Sequence, residues 1–223
     1  MPELPKVLYV MGPPGAGKGT QAELLAHELE YHRFSTGDAF RAMARQDTPL
    51  GHRVNEIIHG QGKLMPPEDA AEVVKTAVKI HMEAGNGLIF DGSPRTIEEA
   101  KMIDDFFVEQ GYGNPLAIYL HVDRDEMIRR NSQRRFCLDV DNDFPVVTEQ
   151  DVQRCVGMGG RVGVRADDEP EKFATRWDEF QKHTYPVIKR YLAEGIAHQL
   201  NGMQPIQDVH KDVMELIKQL KQQ

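Results

Sequence analysis

The stretch Gly12-Pro13-Pro14-Gly15-Ala16-Gly17-Lys18-Gly19-Thr20 decides the fold. It follows the apolar run Val7-Leu8-Tyr9-Val10-Met11 and opens a helix-forming segment, Gln21-Ala22-Glu23-Leu24-Leu25-Ala26. The spacing fits G-x-x-x-x-G-K, with Gly19 standing between Lys18 and the hydroxyl of Thr20. A glycine-rich turn lets backbone N–H groups surround a polyphosphate, because no Cβ blocks close approach. The helix that follows adds free N–H groups and the positive end of its dipole. Lys18 is placed to neutralise β- and γ-phosphates, and Thr20 to hold Mg²⁺. Strand, loop and helix together imply a nucleoside triphosphate site.

Outward from this motif the apolar runs are short: Val7–Met11, Phe34-Ser35, Leu88–Phe90, Leu116–Val122 and Ile196–Leu200. Helical stretches separate them, which predicts an α/β fold with a buried parallel sheet flanked by helices. Asp123-x-x-Glu126 and Thr96-x-x-Glu99 read as capping boxes. Pro170 suits the first turn of a helix through Phe173, Trp177, Phe180 and Val187. Two segments break the alternation. Residues from about Asp38 to Pro67 read as a small helical insert, and those from about Phe136 to Arg165, rich in Asp, Gly and Val, as a functional lid.

At 223 residues the chain can bury a substantial core. A net charge of −8 gives no general attraction to nucleic acid or anionic membrane. No apolar run approaches the ~20 residues of a membrane span, and the N-terminus does not read as a signal peptide. Two cysteines do not make a disulfide scaffold, so the expected setting is a reducing cytoplasm, with a monomer as the simplest state.

Four further motifs carry chemistry: Ser35-Thr36-Gly37-Asp38-Ala39-Phe40-Arg41, Gly62-Lys63-Leu64-Met65-Pro66, Asp91-Gly92-Ser93-Pro94-Arg95-Thr96 and Arg165-Ala166-Asp167-Asp168. Asp91 ends an apolar strand, where a carboxylate can orient Mg²⁺-bound water beside the P-loop. With the P-loop, these motifs resemble the adenylate kinases of the long-lid form over nearly the whole chain. The resemblance implies a P-loop NTPase fold with a five-stranded parallel sheet and two mobile inserts, one for the monophosphate and one a lid over ATP. The core would comprise residues 1–34, 67–130 and 166–223, the monophosphate-binding insert 35–66 and the lid 131–165.

The implied reaction is reversible, Mg²⁺-dependent phosphoryl transfer from ATP to AMP, giving two ADP, in nucleotide homeostasis and AMP salvage. By motif position, Gly15, Ala16, Gly17, Lys18, Gly19, Thr20, Arg130, Arg134 and Gln204 would contact ATP. Thr36, Arg41, Met65, Gly92, Arg95, Glu99, Arg165 and Arg176 would contact AMP. Lys18, Arg95, Arg134, Arg165 and Arg176 would surround the transferring phosphoryl, and Arg130 would stack on the ATP adenine. Planar guanidinium forks suit phosphate oxygens, and such a reaction relies on positioning and charge neutralisation. Arg129 and Arg135 read as surface charges, and Asp167 or Asp168 as partners for a lid arginine on closure.

Three departures from the family stand out. Many long-lid relatives carry two Cys-x-x-Cys pairs for zinc, whereas Val140 and Met158 stand where Cys137 and Cys155 would have partners. Structural zinc needs four ligands, so no zinc is expected and the lid is expected to be held by apolar packing of these four residues. Asp139, Asp141 and Asp143 are the substitute ligands weighed, but Phe144 and Gln150 break a calcium-loop pattern. Glu99 stands where the family usually has Gln. An ionised carboxylate only accepts hydrogen bonds, so either the acceptor base is read differently (GMP, UMP or CMP) or Glu99 serves the Thr96 capping box. Ser93 replaces an aromatic residue. A non-catalytic nucleotide sensor is the alternative of another class.

Overall fold

A computed structural model of the chain describes residues 4–61, 63–83, 87–140, 143–165 and 170–222. Five parallel strands form the central sheet: β1 (Val7–Met11), β2 (His32–Ser35), β3 (Leu88–Asp91), β4 (Leu116–His121) and β8 (Ala197–Asn201). Their order is β2-β3-β1-β4-β8. Every residue of β1 is buried, as both faces of a parallel sheet must be when helices cross over each side. On one face Tyr9, Phe90, Ala117 and Tyr119 meet α4 (Pro67–Glu83), α5 (Ile97–Gln110) and α9 (Tyr185–Ala193). On the other, Leu8, Val10, Ile89 and Ile118 meet α1 (Lys18–Leu29), α6 (Arg124–Gln133) and α10 (Ile206–Leu220). Burying each such side chain contributes roughly 1.5–3 kcal/mol. The chain alternation expected from the apolar runs is therefore the one that forms.

All five strands point their carboxyl ends the same way, and the two irregular segments lie beyond that edge. Between β2 and α4, α2 (Thr36–Ala44), α3 (Pro49–Val54) and a π-helical turn (Asn55–Gly60) enclose a small core of Phe40, Val54, Met65 and Ala70. After α6 the chain builds a separate antiparallel sheet, β5 (Phe136–Leu138), β6 (Phe144–Pro145) and β7 (Arg161–Gly163), in the order β6-β5-β7. Helix α7 (Glu149–Gly157) crosses between β6 and β7. Its start is a complete capping box of Thr148 and Asp151, which the sequence reading had not singled out. The two expected boxes form only in half. Thr96 and Asp123 accept from the N–H of Glu99 and Glu126, while both glutamates send their carboxylates elsewhere.

The lid's interior corrects one expectation. Cys137 of β5 and Cys155 of α7 form a disulfide across 18 residues, with their Cα atoms 5.5 Å apart. The apolar packing expected of four residues is a covalent staple with one apolar neighbour. Val140 and both sulfurs converge on Gly160, where a Cβ would come within 3.0 Å of each. Met158 is 53% exposed and takes no part. The expectation failed because a count of two cysteines gives no pairing, whereas the antiparallel turn sets strand and helix face to face. Both sulfurs being bonded to each other, the pair offers no thiolates to a metal.

The helix expected from Pro170 through Val187 is interrupted. α8 (Pro170–Glu179) passes into a π-helical turn, Phe180–Thr184, before α9. Pro186 lacks an N–H and its ring crowds the preceding turn, so the wider turn takes up the mismatch.

Candidate active site

Strand β1 delivers the chain to the P-loop at the carboxyl edge of the sheet. Gly15 and Gly17 take φ of 78° and 87° there, and Ala16 is buried between them. Lys18 Nζ donates to Pro13 O at 2.9 Å, so the loop is closed on its own lysine. Desolvation holds the Lys18 ammonium down to about 7, against the pull of Asp91, with Arg95, Arg176 and Arg134 lowering it further. Those named partners show that the lysine, the Asp91–Arg95 motif, the lid arginine Arg134 and the α8 arginine Arg176 share one field. Gly19 explains the residue that separates Lys18 from Thr20. A Cβ there would lie 2.9 Å from Asp91 Oδ2, so only glycine allows the strand-end carboxylate to stand against the loop.

A cleft of about 1080 Å³, open to solvent, runs from Lys18 to the helical insert. Thr36, Arg41 and Met65 line it from the insert, and Gly92, Arg95 and Glu99 from the β3–α5 connection. Arg176, Glu179, Phe180 and Thr184 close the third side. The wall is tied together by hydrogen bonds. Thr36 Oγ1 donates to Gly92 O at 3.1 Å, Arg95 Nε to Gly92 O at 2.5 Å and Thr184 Oγ1 to Arg95 O at 3.1 Å. Arg41 pairs with Asp38, whose carboxyl burial would raise but Arg41, Arg33 and Arg165 hold below its ordinary range.

Glu99 is buried in this wall and both its oxygens are engaged. Ser93 Oγ donates to one, and the Arg95 N–H donates to the other at 2.8 Å. Burial raises the Glu99 carboxyl, against those two bonds and the Arg95 charge. The two departures at 93 and 99 are therefore one feature: the Ser93 hydroxyl bonds the glutamate.

The lid arginines Arg134 and Arg165 share one ring. Arg165 stacks on the Phe136 ring with its guanidinium carbon 3.5 Å from the centroid, and Arg134 is 4.4 Å from the same centroid. Arg130 Nε donates to Glu126 at 2.6 Å. Hydrogen bonds from Arg129 and Arg130 hold the Glu126 carboxyl down to about 2. Arg129 and Arg135 are exposed, as read. Gln204 follows β8 and donates to Asn201 O and Asp212 Oδ2. Gly62, Asp141, Asp167 and Asp168 lie outside the described residues.

The sequence reading missed Arg33, whose Nη2 sits 2.9 Å from Asp91 Oδ2 and 3.5 Å from Asp38. The available signal was a charge one residue before the apolar Phe34 in a strand. It also missed Asn131, buried under the P-loop, and Phe136, the ring that carries two arginines.

The family model for adenylate kinase matches residues 10–196. The chain belongs to the adenylate kinase family. It is 38% identical over 204 residues to an adenylate kinase of Salinispora tropica, covering 91% of this chain and 93% of that protein. Against the adenylate kinase of Bacillus subtilis it is 35% identical over 218 residues, 96% of this chain and 99% of the other. The adenylate kinase of Desulforamulus reducens is 34% identical over 213 residues, again across 95% and 99% of the two chains. The protein is thus a phosphotransferase of the nucleoside monophosphate kinase group, as its motifs implied. Among the described residues no helix is long and apolar enough to cross a membrane.

Asp91 sets a carboxylate against Gly19 of the P-loop, a hard oxygen donor of the kind Mg²⁺ prefers, and Arg33 pairs with the same oxygen.

Proposed function

We propose that this protein transfers the terminal phosphoryl of ATP to AMP, reversibly, giving two ADP. The observation that carries the reading is the continuous cleft from Lys18 to Arg41 and Arg95, which puts a triphosphate loop and a phosphate-binding pocket end to end. A single-nucleotide hydrolase needs no second pocket of this kind. ATP lies with its β- and γ-phosphates in the N–H groups of residues 15–20, and Arg130 and Gln204 hold its base. AMP lies in the cleft with its α-phosphate between Arg41 and Arg95 and its base toward Thr36, Met65 and Glu99.

An AMP phosphate oxygen attacks the γ-phosphorus while the bond to the β,γ-bridging oxygen breaks, leaving ADP on both sides. Lys18, Arg95, Arg134, Arg165 and Arg176 face the three equatorial oxygens, where charge is spread in the transition state. Thr20 and Asp91 would hold Mg²⁺, which would supply charge neutralisation of the β- and γ-phosphates. Closing of the insert and the lid excludes water, which would otherwise compete as acceptor. We assign the mobile segments to about 35–66 and 131–165 and a monomeric state; the Cys137–Cys155 disulfide withdraws the thiol-based reason for a reducing cytoplasm, and that setting is proposed from the adenylate kinase relatives alone.

A coupled assay with ATP and Mg²⁺ against AMP, GMP, UMP and CMP tests the reading. Turnover is expected with AMP. Preference for another monophosphate overturns the acceptor, and binding without turnover on all four overturns the enzyme.

A further inference from the structure

Among the described residues, Arg45 of the helical insert reaches the lid at Asp143 and Val140. Asp143, beside β6, accepts from Arg45 Nη2 at 2.7 Å, and Arg45 is the residue just after α2 in the insert. The same carboxylate stands 3.5 Å from Arg165 Nε. Arg165 also donates from Nη2 to Asp143 O at 3.0 Å and lies flat on Phe136. Arg45 adds a second bond across the gap, from Nη1 to Val140 O at 3.2 Å. Asp143 and Arg165 side chains are 10% and 9% exposed, whereas Arg45 is 44% exposed.

We propose that Asp143 is a positioning residue that ties the placement of Arg165 to closure of the helical insert. A guanidinium stacked on a ring is free to rotate in the ring's plane. A hydrogen bond to the Asp143 carbonyl and an ion-pair contact with its carboxylate restrict that rotation and so aim the remaining N–H groups. A carboxylate sheltered from water also cancels part of the charge it positions. When the insert closes, Arg45 engages the exposed side of the carboxylate and restores a net positive charge beside the phosphoryl. Arg165 is therefore both aimed and charge-compensated only when the lid and the insert are shut together. Phosphoryl transfer to water, with the acceptor pocket empty, meets a less complete set of charges. Asp38 also feels Arg165 from the insert side, so among the described residues this seam sets the carboxylates Asp38 and Asp143 beside Arg33, Arg41, Arg45, Arg134 and Arg165.

The inference rests on the ATP–AMP reading above. Its test is a double-mutant cycle of Arg45→Ala and Asp143→Asn, read by single-turnover phosphoryl transfer at saturating ATP and AMP, so that product release does not intervene. Each single change is expected to slow transfer about tenfold, a size typical of coupled contacts, with the ATP KM within about twofold of wild type. Arg45→Ala is expected to slow transfer less than about twofold when Asp143→Asn is already present. Arg45→Lys, which keeps the charge, restores most of the rate.

Equal slowing by Arg45→Ala in both backgrounds overturns the proposal. So does an effect confined to the ATP KM and lid melting, which is what a purely structural carboxylate would give. Arg45 is exposed enough that its variants test the proposal even where Asp143→Asn does not fold: an unchanged transfer rate in Arg45→Ala overturns it. Wild-type protein with no ATP–AMP turnover ends the underlying reading, and the inference with it. Turnover with additive variants ends the inference alone.

Discussion

The cleft and the lid each hold a pair of arginines in place, with different means. In the cleft, Arg41 and Arg95 hang from elements that emerge directly from the central sheet. Arg95 bonds a backbone carbonyl and Arg41 the Asp38 carboxylate, and Thr36 and Thr184 tie the wall to itself. The lid has almost no core of its own. Its three short strands and α7 depend on one disulfide and one ring, Phe136, on which Arg134 and Arg165 both rest. A phosphate pocket built on a large hydrophobic core is positioned by that core. One built on some thirty residues needs a staple, because too little apolar surface is buried to offset chain entropy.

Breaking the two sides should therefore fail differently. The largest effect is expected at the loop that serves both. Lys18→Ala should slow transfer on the order of 10³-fold, the scale for removing a preorganised charge from a phosphoryl or oxyanion site, with melting temperature nearly unchanged. A rate within tenfold of wild type would remove Lys18 from the chemistry.

Next is the staple. Cys155→Ser opens a loop of 18 residues, worth about 3 kcal/mol in the chain-entropy model. The loss should appear as faster amide exchange and proteolysis within residues 136–163, with β1, β3 and β4 protected as before. Reduction by dithiothreitol should reproduce it in the wild type and do nothing further to the variant. Global unfolding instead would show that the lid and core are one cooperative unit.

A smaller effect distinguishes the cleft wall. Burial raises the Glu99 carboxyl above its unfolded value. The folded state therefore holds that proton more tightly, and the group's contribution to stability falls as pH rises from the unfolded value through the folded one. Glu99→Gln removes this dependence. Its stability relative to wild type should improve as pH rises above the ordinary carboxylate range, by an amount set by how far burial raises the group. Parallel pH profiles of melting temperature would show the carboxyl to be unperturbed.

The smallest effect concerns the empty P-loop. With its ammonium held near 7, Lys18 is mostly neutral at pH 8 and should take up close to one proton when a triphosphate binds. Calorimetry of a non-hydrolysable ATP analogue, in buffers of different ionisation enthalpy, measures that uptake. No proton uptake would mean that Lys18 is already charged.

The cleft was far more legible in the sequence than the lid. Its residues stand in short contiguous motifs at strand ends, where the sheet fixes their direction, so Thr36, Arg41, Asp91 and Arg95 could be placed by number. Ser93 and Glu99 were legible as departures, but not as a bonded pair. Arg33, by contrast, reaches Asp91 across 58 positions, a distance no local pattern spans. Lid residues were assigned by spacing from Cys137 and from the Arg165-Ala166-Asp167-Asp168 motif, and that spacing said nothing of a staple, of Phe136 as a shared platform, or of Asp143 between two arginines.

By itself the sequence determined the five strands, the loop between β1 and α1, and the identity of the charged groups. Apolar periodicity and glycine chemistry are local properties, and they act within a few residues. Only the tertiary structure decided which charges face one another. Arg45 and Asp143 are 98 positions apart, and Cys137 and Cys155 meet only because β5 and α7 pack together. Such pairs exist once two separately folded segments are brought against the same edge of the sheet, and no stretch of chain encodes that meeting alone.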